Sequence, residues 1–235
     1  MIRYSTIKTG DPREIVLLKG RGCQYKQCAF CDYYDDGSDD DAECARINTR
    51  VLDDVTGVFG VLEVICSGSF CELHEGDIAA VQKICEKCGI RRIIVESHWM
   101  YRAEFDAFRA RMAPVEVEFK AGIETFDITL RNLWRKGIGD VSPAELAEYF
   151  QQCNLIVGVA GQSFEGVAED IRTALRHFRR VCVNVFCENT TEVNADTALI
   201  RRLRAELFSQ YADDSRVDIL TENTDFGVGA EGGHD

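Results

Sequence analysis

The sequence predicts a parallel α/β fold, and three observations carry that prediction. Short β-rich runs alternate with amphipathic helical stretches about six times in succession, the pattern of repeated strand–helix units. A hydrophobic fraction of 46% over 235 residues is enough to build a sizeable core. The predicted strands end in small or polar residues, where a parallel sheet presents its ligand-binding edge. A complete eight-unit barrel takes about 250 residues. Pattern alone therefore leaves a partial barrel and a doubly wound sheet both open.

The first strand is EIVLLKG (14–20), which runs directly into a cysteine-bearing loop. The acidic segment 35–43 (DDGSDDDAE) then reads as a solvated loop. LEVICSG (62–68) is the second strand. A helix over 77–88 follows, with Ile78, Val81, Ile84 and Cys85 on one face and Gly89 as its C-terminal cap. RRIIVES (91–97) is the third strand and 102–112 the next helix. In 115–124, Val115, Val117 and Phe119 alternate with Glu116 and Glu118 before an apolar end, which predicts the fourth strand. Residues 126–136 read as a helix stopped by Gly137. The helix over 142–152 opens on Ser142 as N-cap, Pro143 at the first helical position and Glu145 three residues after the cap. The fifth strand is 154–161, a helix spans 164–179, and the sixth strand is 181–188. A helix over 195–209 and a short strand at 216–220 complete the pattern. A single domain is expected over residues 1–225, with 226–235 a disordered tail.

Composition narrows the partners. The chain has 27 Lys and Arg against 40 Asp and Glu, a net charge of −13. Nucleic-acid affinity rests on neutralising phosphates with basic side chains, so this balance opposes it and favours a small-molecule substrate. RHFRR (176–180) and IRRLR (200–204) have helical spacing and read as solvated faces. No apolar run reaches the roughly 18 residues of a membrane span. The first residues, MIRYSTIKTGDPRE, lack a signal-peptide core, so a cytoplasmic location is expected. Eleven cysteines are many for such a chain, and they point to metal or redox chemistry.

Three of those cysteines lie within nine residues, in GRGCQYKQCAFCDY (20–33). Cys23, Cys28 and Cys31 read as a disulfide fragment, half of a zinc site, or three ligands of an iron–sulfur cluster. A disulfide uses two and strands the third. Zinc normally takes four N or S ligands. The available second pair, Cys85 and Cys88, lies at the end of an amphipathic helix whose apolar face carries Cys85, which suits a buried thiol. A 4Fe–4S cluster on three cysteines keeps one iron open to a substrate, and Gly20 and Gly22 let the loop fold closely around it.

The loop resembles the cluster loop of the radical S-adenosylmethionine (SAM) superfamily, whose commonest spacing is Cys-x3-Cys-x2-Cys with an aromatic residue, here Phe30, before the third cysteine. Cys23 to Cys28 departs from it by one residue. Four downstream segments are similar in the superfamily's order. CSGSFCEL (66–73) matches a glycine-rich motif, implying SAM contacts from Gly68, Ser69 and Phe70. KAGIETFDITLRNLWRKGI (120–138) implies contacts from Glu124 and Arg131. GVAGQSFE (158–165) places Gly161 near the adenine, and VNVFCE (183–188) places Val185 and Phe186 at its edge. The resemblance covers roughly residues 14–190 and implies a partial (β/α)6 TIM-like barrel with parallel strands. Its implied cofactors are a 4Fe–4S cluster on Cys23, Cys28 and Cys31 and SAM, cleaved to a 5′-deoxyadenosyl radical by an electron from a donor such as flavodoxin or ferredoxin.

ESHWMYR (96–102) follows the third strand, and Glu96 and His98 read there either as substrate contacts or as parts of a polar rim. Asn184 and Glu188 share the sixth strand with the adenine motif, and Asp127 follows the fourth. These carboxylates suit amidine-like N–H groups of a nitrogen-rich substrate. His74 and His177 read as surface residues. Within the superfamily, CQYKQCAFCDY, CSGSF, ESHWMYR and GIETFD are most similar to the queuine lyase group of queuosine salvage. That resemblance implies a lyase that releases 7-aminomethyl-7-deazaguanine from queuine. Radical SAM chemistry of another kind, and a non-enzymatic metal-binding protein, remain as alternatives on sequence.

Overall fold

The computed structural model describes residues 2–221, and the tail expected over 226–235 lies outside them. Among the described residues, eight strands make one sheet whose order is chain order, β1 to β8. The chain divides into two compact units. Among the described residues the first comprises 2–26 and 33–120, and the second 27–32 and 121–221. The divisions fall inside the cysteine loop and inside the fifth strand.

In the first unit, β1 (Tyr4–Ile7) pairs antiparallel with β2 (Arg13–Leu18). β2, β3 (Val61–Cys66) and β4 (Arg92–Ser97) pair in parallel. Every residue of β2 is buried, so after Arg13 and Glu14 its sequence is a continuous apolar run, Ile15 to Leu18, that does not alternate. β1 is absent from the sequence reading because YSTI is four half-buried residues with little apolar content. β5 (Glu116–Glu124) begins in this unit.

The acidic segment is only in part the solvated loop expected: Asp35 and residues 39–42 are exposed, but it begins in a 3-10 turn and ends in a helix. Asp36 pairs with Arg3 and Lys19 and accepts from the Ser67 hydroxyl. Asp40 caps α1 (Asp41–Asp53) by accepting from the Ala42 and Glu43 N–H groups. Acidic residues gather there because a helix N-terminus favours negative charge. His74, read as a surface residue, is buried with Nδ1 at the Asp41 carboxylate and Nε2 at the Ser38 carbonyl. α2 (Glu75–Cys88) ends as predicted on Gly89, whose φ is +65°. α3 (Phe105–Met112) is shorter than predicted because Trp99–Glu104 forms a 3-10 turn. The core gathers Phe70, Phe105, Phe108 and Phe119, with Phe105 stacked on Phe119 at 3.7 Å. Across the strands, fully buried Glu63 meets Arg13 and Lys120. Burial alone would raise its pKa, but the two cations hold it down at about 2.

In the second unit, β6 (Gln152–Val157), β7 (Arg180–Val185) and β8 (Val217–Leu220) pair in parallel, with Asn184 opposite Ile156 and Leu220. α4 (Ile128–Leu133) is capped by Asp127 and ends before Arg135, whose φ of +55° leaves the helical region. α5 (Pro143–Tyr149) starts on the Ser142 cap as predicted. α6 (Phe164–His177) buries one face. The helix predicted over 195–209 is α7 (Thr197–Arg202) followed by a π turn, Leu203–Leu207, and a 3-10 turn. Among the described residues no helix is long and apolar enough to cross a membrane.

Asp170 of α6 accepts from the Thr125 hydroxyl and the Phe126 N–H, tying down the chain after β5. Burial raises its pKa to about 6 against those two hydrogen bonds. A carboxyl whose folded pKa lies above its unfolded one favours folding most when protonated, so its contribution declines as pH rises from about 4 to 6. The decline is about 3 kcal/mol. Asp170→Asn is expected to remove that slope from the stability-against-pH curve. Parallel wild-type and variant curves in urea across pH 4–7 would refute it.

Candidate active site

The first unit supplies one set of candidate residues. Gly68 lies against the cysteine loop, and a Cβ there would stand 2.8 Å from the Cys23 Cα and 2.9 Å from its nitrogen. Only glycine permits that approach. The Cys23 N–H donates to the Ser67 carbonyl at 2.9 Å. Buried Glu72 organises the surroundings: its Oε1 accepts from the Gln24 N–H at 2.7 Å and from the Tyr101 hydroxyl at 2.8 Å, and its Oε2 from the Ser69 N–H. One carboxylate therefore joins the cysteine loop, the glycine motif and the ESHWMYR segment. The Ser69 hydroxyl accepts from the His98 N–H, and the His98 ring stacks on Tyr25 of the cysteine loop at 4.6 Å. Glu96 is half-buried with Lys120 at 3.8 Å. Phe70 puts its side chain into the phenylalanine core, so only its main chain faces a ligand role.

The second unit supplies the other set. Buried Phe30 packs with Trp134, Ile156, Val159 and Phe186, and Cys28 and Cys31 border this cluster. The Ala29 N–H donates to the Trp134 carbonyl, and Asn189 donates to the Phe30 carbonyl at 2.8 Å. Thr190 donates to Asp32 through both its N–H and its hydroxyl. Glu124 ends β5 in the left-handed region with φ +72°, and it pairs at 2.7 Å with buried Lys136. A non-glycine residue there is held by its surroundings, and such outliers collect at functional sites. Gly161, with φ +96°, lies in an exposed turn that Gln162 closes by bonding the Val159 N–H and the Ile156 carbonyl. Val185 and Phe186 are buried. Asn184 is half-buried on β7, beside the Cys182 thiol.

Three candidates have other attachments. Asp127 is exposed and caps α4 through the Leu130 N–H. Glu188 is exposed and accepts from the Ala195 N–H. Arg131 is buried and its Nη2 donates to the Gly139 and Val141 carbonyls, which turns the guanidinium toward that loop. Sequence reasoning missed Glu72 and Lys136. The spacing Ser69-x-x-Glu72, a capping-box signature, marks Glu72 in retrospect. Nothing in the sequence distinguishes Lys136 from a surface lysine.

None of the eleven cysteines, all of them among the described residues, forms a disulfide, and Cys23, Cys28 and Cys31 are each partly exposed. Burial pushes the Cys71 and Cys85 thiols up to about 12, which disfavours their thiolate forms. Among the described residues no three His, Cys, Asp or Glu side chains are arranged to surround one metal ion. A 4Fe–4S cubane asks something different, one thiolate on each of several irons. Three accessible thiols on one loop, held by backbone bonds and free of disulfides, fit that group.

Two solved structures are similar to this chain to different degrees. The queuine lyase from Clostridium spiroforme, bound to SAM and queuine, matches with a TM-score of 0.92 and 38% identity over 98% of this chain and 100% of that one. Methylornithine synthase matches at 15% identity and a TM-score of 0.48 over 80% of this chain and 61% of that one. No protein-family model and no curated protein sequence matches the chain. The chain-ordered sheet, the three-cysteine loop and the whole-chain match define a radical SAM protein with the partial-barrel α/β fold. Within that class, the chain belongs to the queuine lyase family.

Proposed function

We propose that the protein is a radical SAM lyase that cleaves queuine and releases 7-aminomethyl-7-deazaguanine. The observation that carries this reading is the match along 98% of the chain to a queuine lyase holding SAM and queuine. Cys23, Cys28 and Cys31 would hold the 4Fe–4S cluster. When bound, the cluster and SAM supply the electron and the organic radical that removes a hydrogen atom from the substrate.

The chain's own residues bind, orient and exclude water. The main chain at Gly68 and Ser69 offers polar groups to SAM, as do the Glu124 carboxylate and the backbone at Gly161, Val185 and Phe186. Glu96, His98 and Asn184 are the substrate contacts this reading favours. Glu96 is the strongest of them, because a half-buried carboxylate beside Lys120 suits N–H groups of a deazapurine. Asp127, Glu188 and Arg131 have the attachments described above and enter this reading only if ligand binding releases them. The net charge of −13 supports a free base as substrate over RNA. An electron donor such as flavodoxin or ferredoxin, and a cytoplasmic setting, complete the proposal.

The test is turnover by anaerobically reconstituted protein with dithionite and SAM, with and without queuine. Mass spectrometry should detect 5′-deoxyadenosine and 7-aminomethyl-7-deazaguanine together, in comparable amounts, only when queuine is present. Slow 5′-deoxyadenosine formation that ignores queuine would discard the substrate and keep the class.

A further inference from the structure

Lys136 is a buried ammonium beside the cysteine loop with no role in the function proposed above. It sits in a turn fixed to that loop: Trp134, two residues earlier, accepts from the Ala29 N–H. Its Nζ stands 5.8 Å from the centroid of the Phe30 ring, between Cys28 and Cys31 in sequence, and both cysteines border the same apolar cluster. Glu124 Oε1 holds the ammonium at 2.7 Å. A side chain at Gly122 would stand 2.9 Å from Nζ and 2.6 Å from Glu124 Oε1, so this glycine leaves the space that the pair occupies. Burial opposes the lysine's charge, yet the Glu124 carboxylate beside it keeps the group protonated.

A buried ion pair is weak evidence for stability, since apolar residues of similar volume often serve the fold as well. Its effect on neighbouring charge is another matter. Charges in a dry interior act strongly over several ångströms. Reducing an iron–sulfur cluster adds a negative charge, and its potential follows the net charge and hydrogen bonding around its sulfurs.

We infer that Lys136, clamped by Glu124, is the fixed counter-cation of the Cys28–Cys31 side of the cluster and sets how readily the cluster accepts an electron. Lys136 is thus a positioning residue that acts through the thiolates, and Glu124 moderates it. The inference rests on the reading of the loop as a 4Fe–4S site.

The test is a potentiometric titration of anaerobically reconstituted full-length protein without SAM, followed by EPR of the reduced cluster, with iron and sulfide determined on each sample. Lys136→Met should disfavour reduction about tenfold, about 59 mV downward for a one-electron couple. Glu124→Gln should move the midpoint upward, and the double variant should return toward wild type. A structural role alone would lower cluster content in both single variants without opposite shifts. Should Lys136→Met hold no iron, Glu124→Gln decides alone, and an unmoved midpoint overturns the inference. Loaded wild type with single variants that do not move oppositely overturns this inference only. Wild type that binds no cluster overturns the parent reading as well.

Discussion

Glu72→Ala is expected to destabilise the protein by about 4 kcal/mol and to release the cysteine loop from its neighbours. The side chain is 3% exposed and accepts three hydrogen bonds, from the Gln24 N–H, the Ser69 N–H and the Tyr101 hydroxyl. Truncation leaves donors in a space from which water is excluded, and each unsatisfied buried donor costs about 1–3 kcal/mol. The three come from different stretches of chain, so the loss also uncouples them. Tyr101 feels the carboxylate strongly: burial, with the hydrogen bond to Glu72 next, pushes its phenol well above the usual range. Urea denaturation of the cluster-free protein measures the cost, and iron retained after reconstitution measures the loop. Glu72→Gln keeps the shape and one acceptor oxygen, and should fall between alanine and wild type. A loss below about 1 kcal/mol for alanine would mean that the loop is held by other contacts.

The sheet was legible because its central strands are long apolar runs with clear breaks. EIVLLKG lies within two residues of β2 at either end, NLIVGVAG starts two residues inside β6 and runs four past it, and Gly89 and Ser142 end and start helices where their chemistry requires. α1 was hidden because its acidic first turn, Asp41 and Glu43, resembles a charged loop, and its buried residues include Asn48, a polar side chain that bonds the Lys19 backbone. β1 was hidden by its shortness.

The site divides the same way. Three cysteines at short spacing, and a glycine whose Cβ would strike the loop backbone, leave marks in the sequence. A buried ammonium such as Lys136 does not, and the carboxylate of Glu72 is marked only by its capping-box spacing from Ser69. Glu72 and Lys136 are set by distant partners: Gln24 lies 48 residues from Glu72, and Glu124 lies 12 from Lys136. Arg131 shows the converse. Its place in a family-like stretch suggested a ligand, whereas the fold directs its guanidinium to the carbonyls of Gly139 and Val141, eight and ten residues onward.

Cys28→Ala should abolish turnover while leaving the fold intact. The thiol lies at the partly exposed rim of the Phe30, Trp134 and Phe186 cluster, so deleting it opens little cavity. The expected loss in stability is about 1 kcal/mol or less. The contacts that position this stretch are backbone ones, from the Ala29 N–H to the Trp134 carbonyl and from the Cys31 N–H to the Cys28 carbonyl, and alanine keeps both. What disappears is one of three thiolates, and two cannot hold the proposed cluster with a single iron left open. Reconstituted Cys28→Ala should therefore retain little iron and sulfide, melt cooperatively within a few degrees of cluster-free wild type, and form no 5′-deoxyadenosine from SAM. Cys85→Ala, which deletes a buried thiol on α2, is the matched control and should keep its iron. If Cys28→Ala turned over queuine at the wild-type rate, the loop would have no part in the chemistry. Iron lost together with the cooperative melt would make Cys28 a folding residue instead, and its inactivity would then say nothing about ligation.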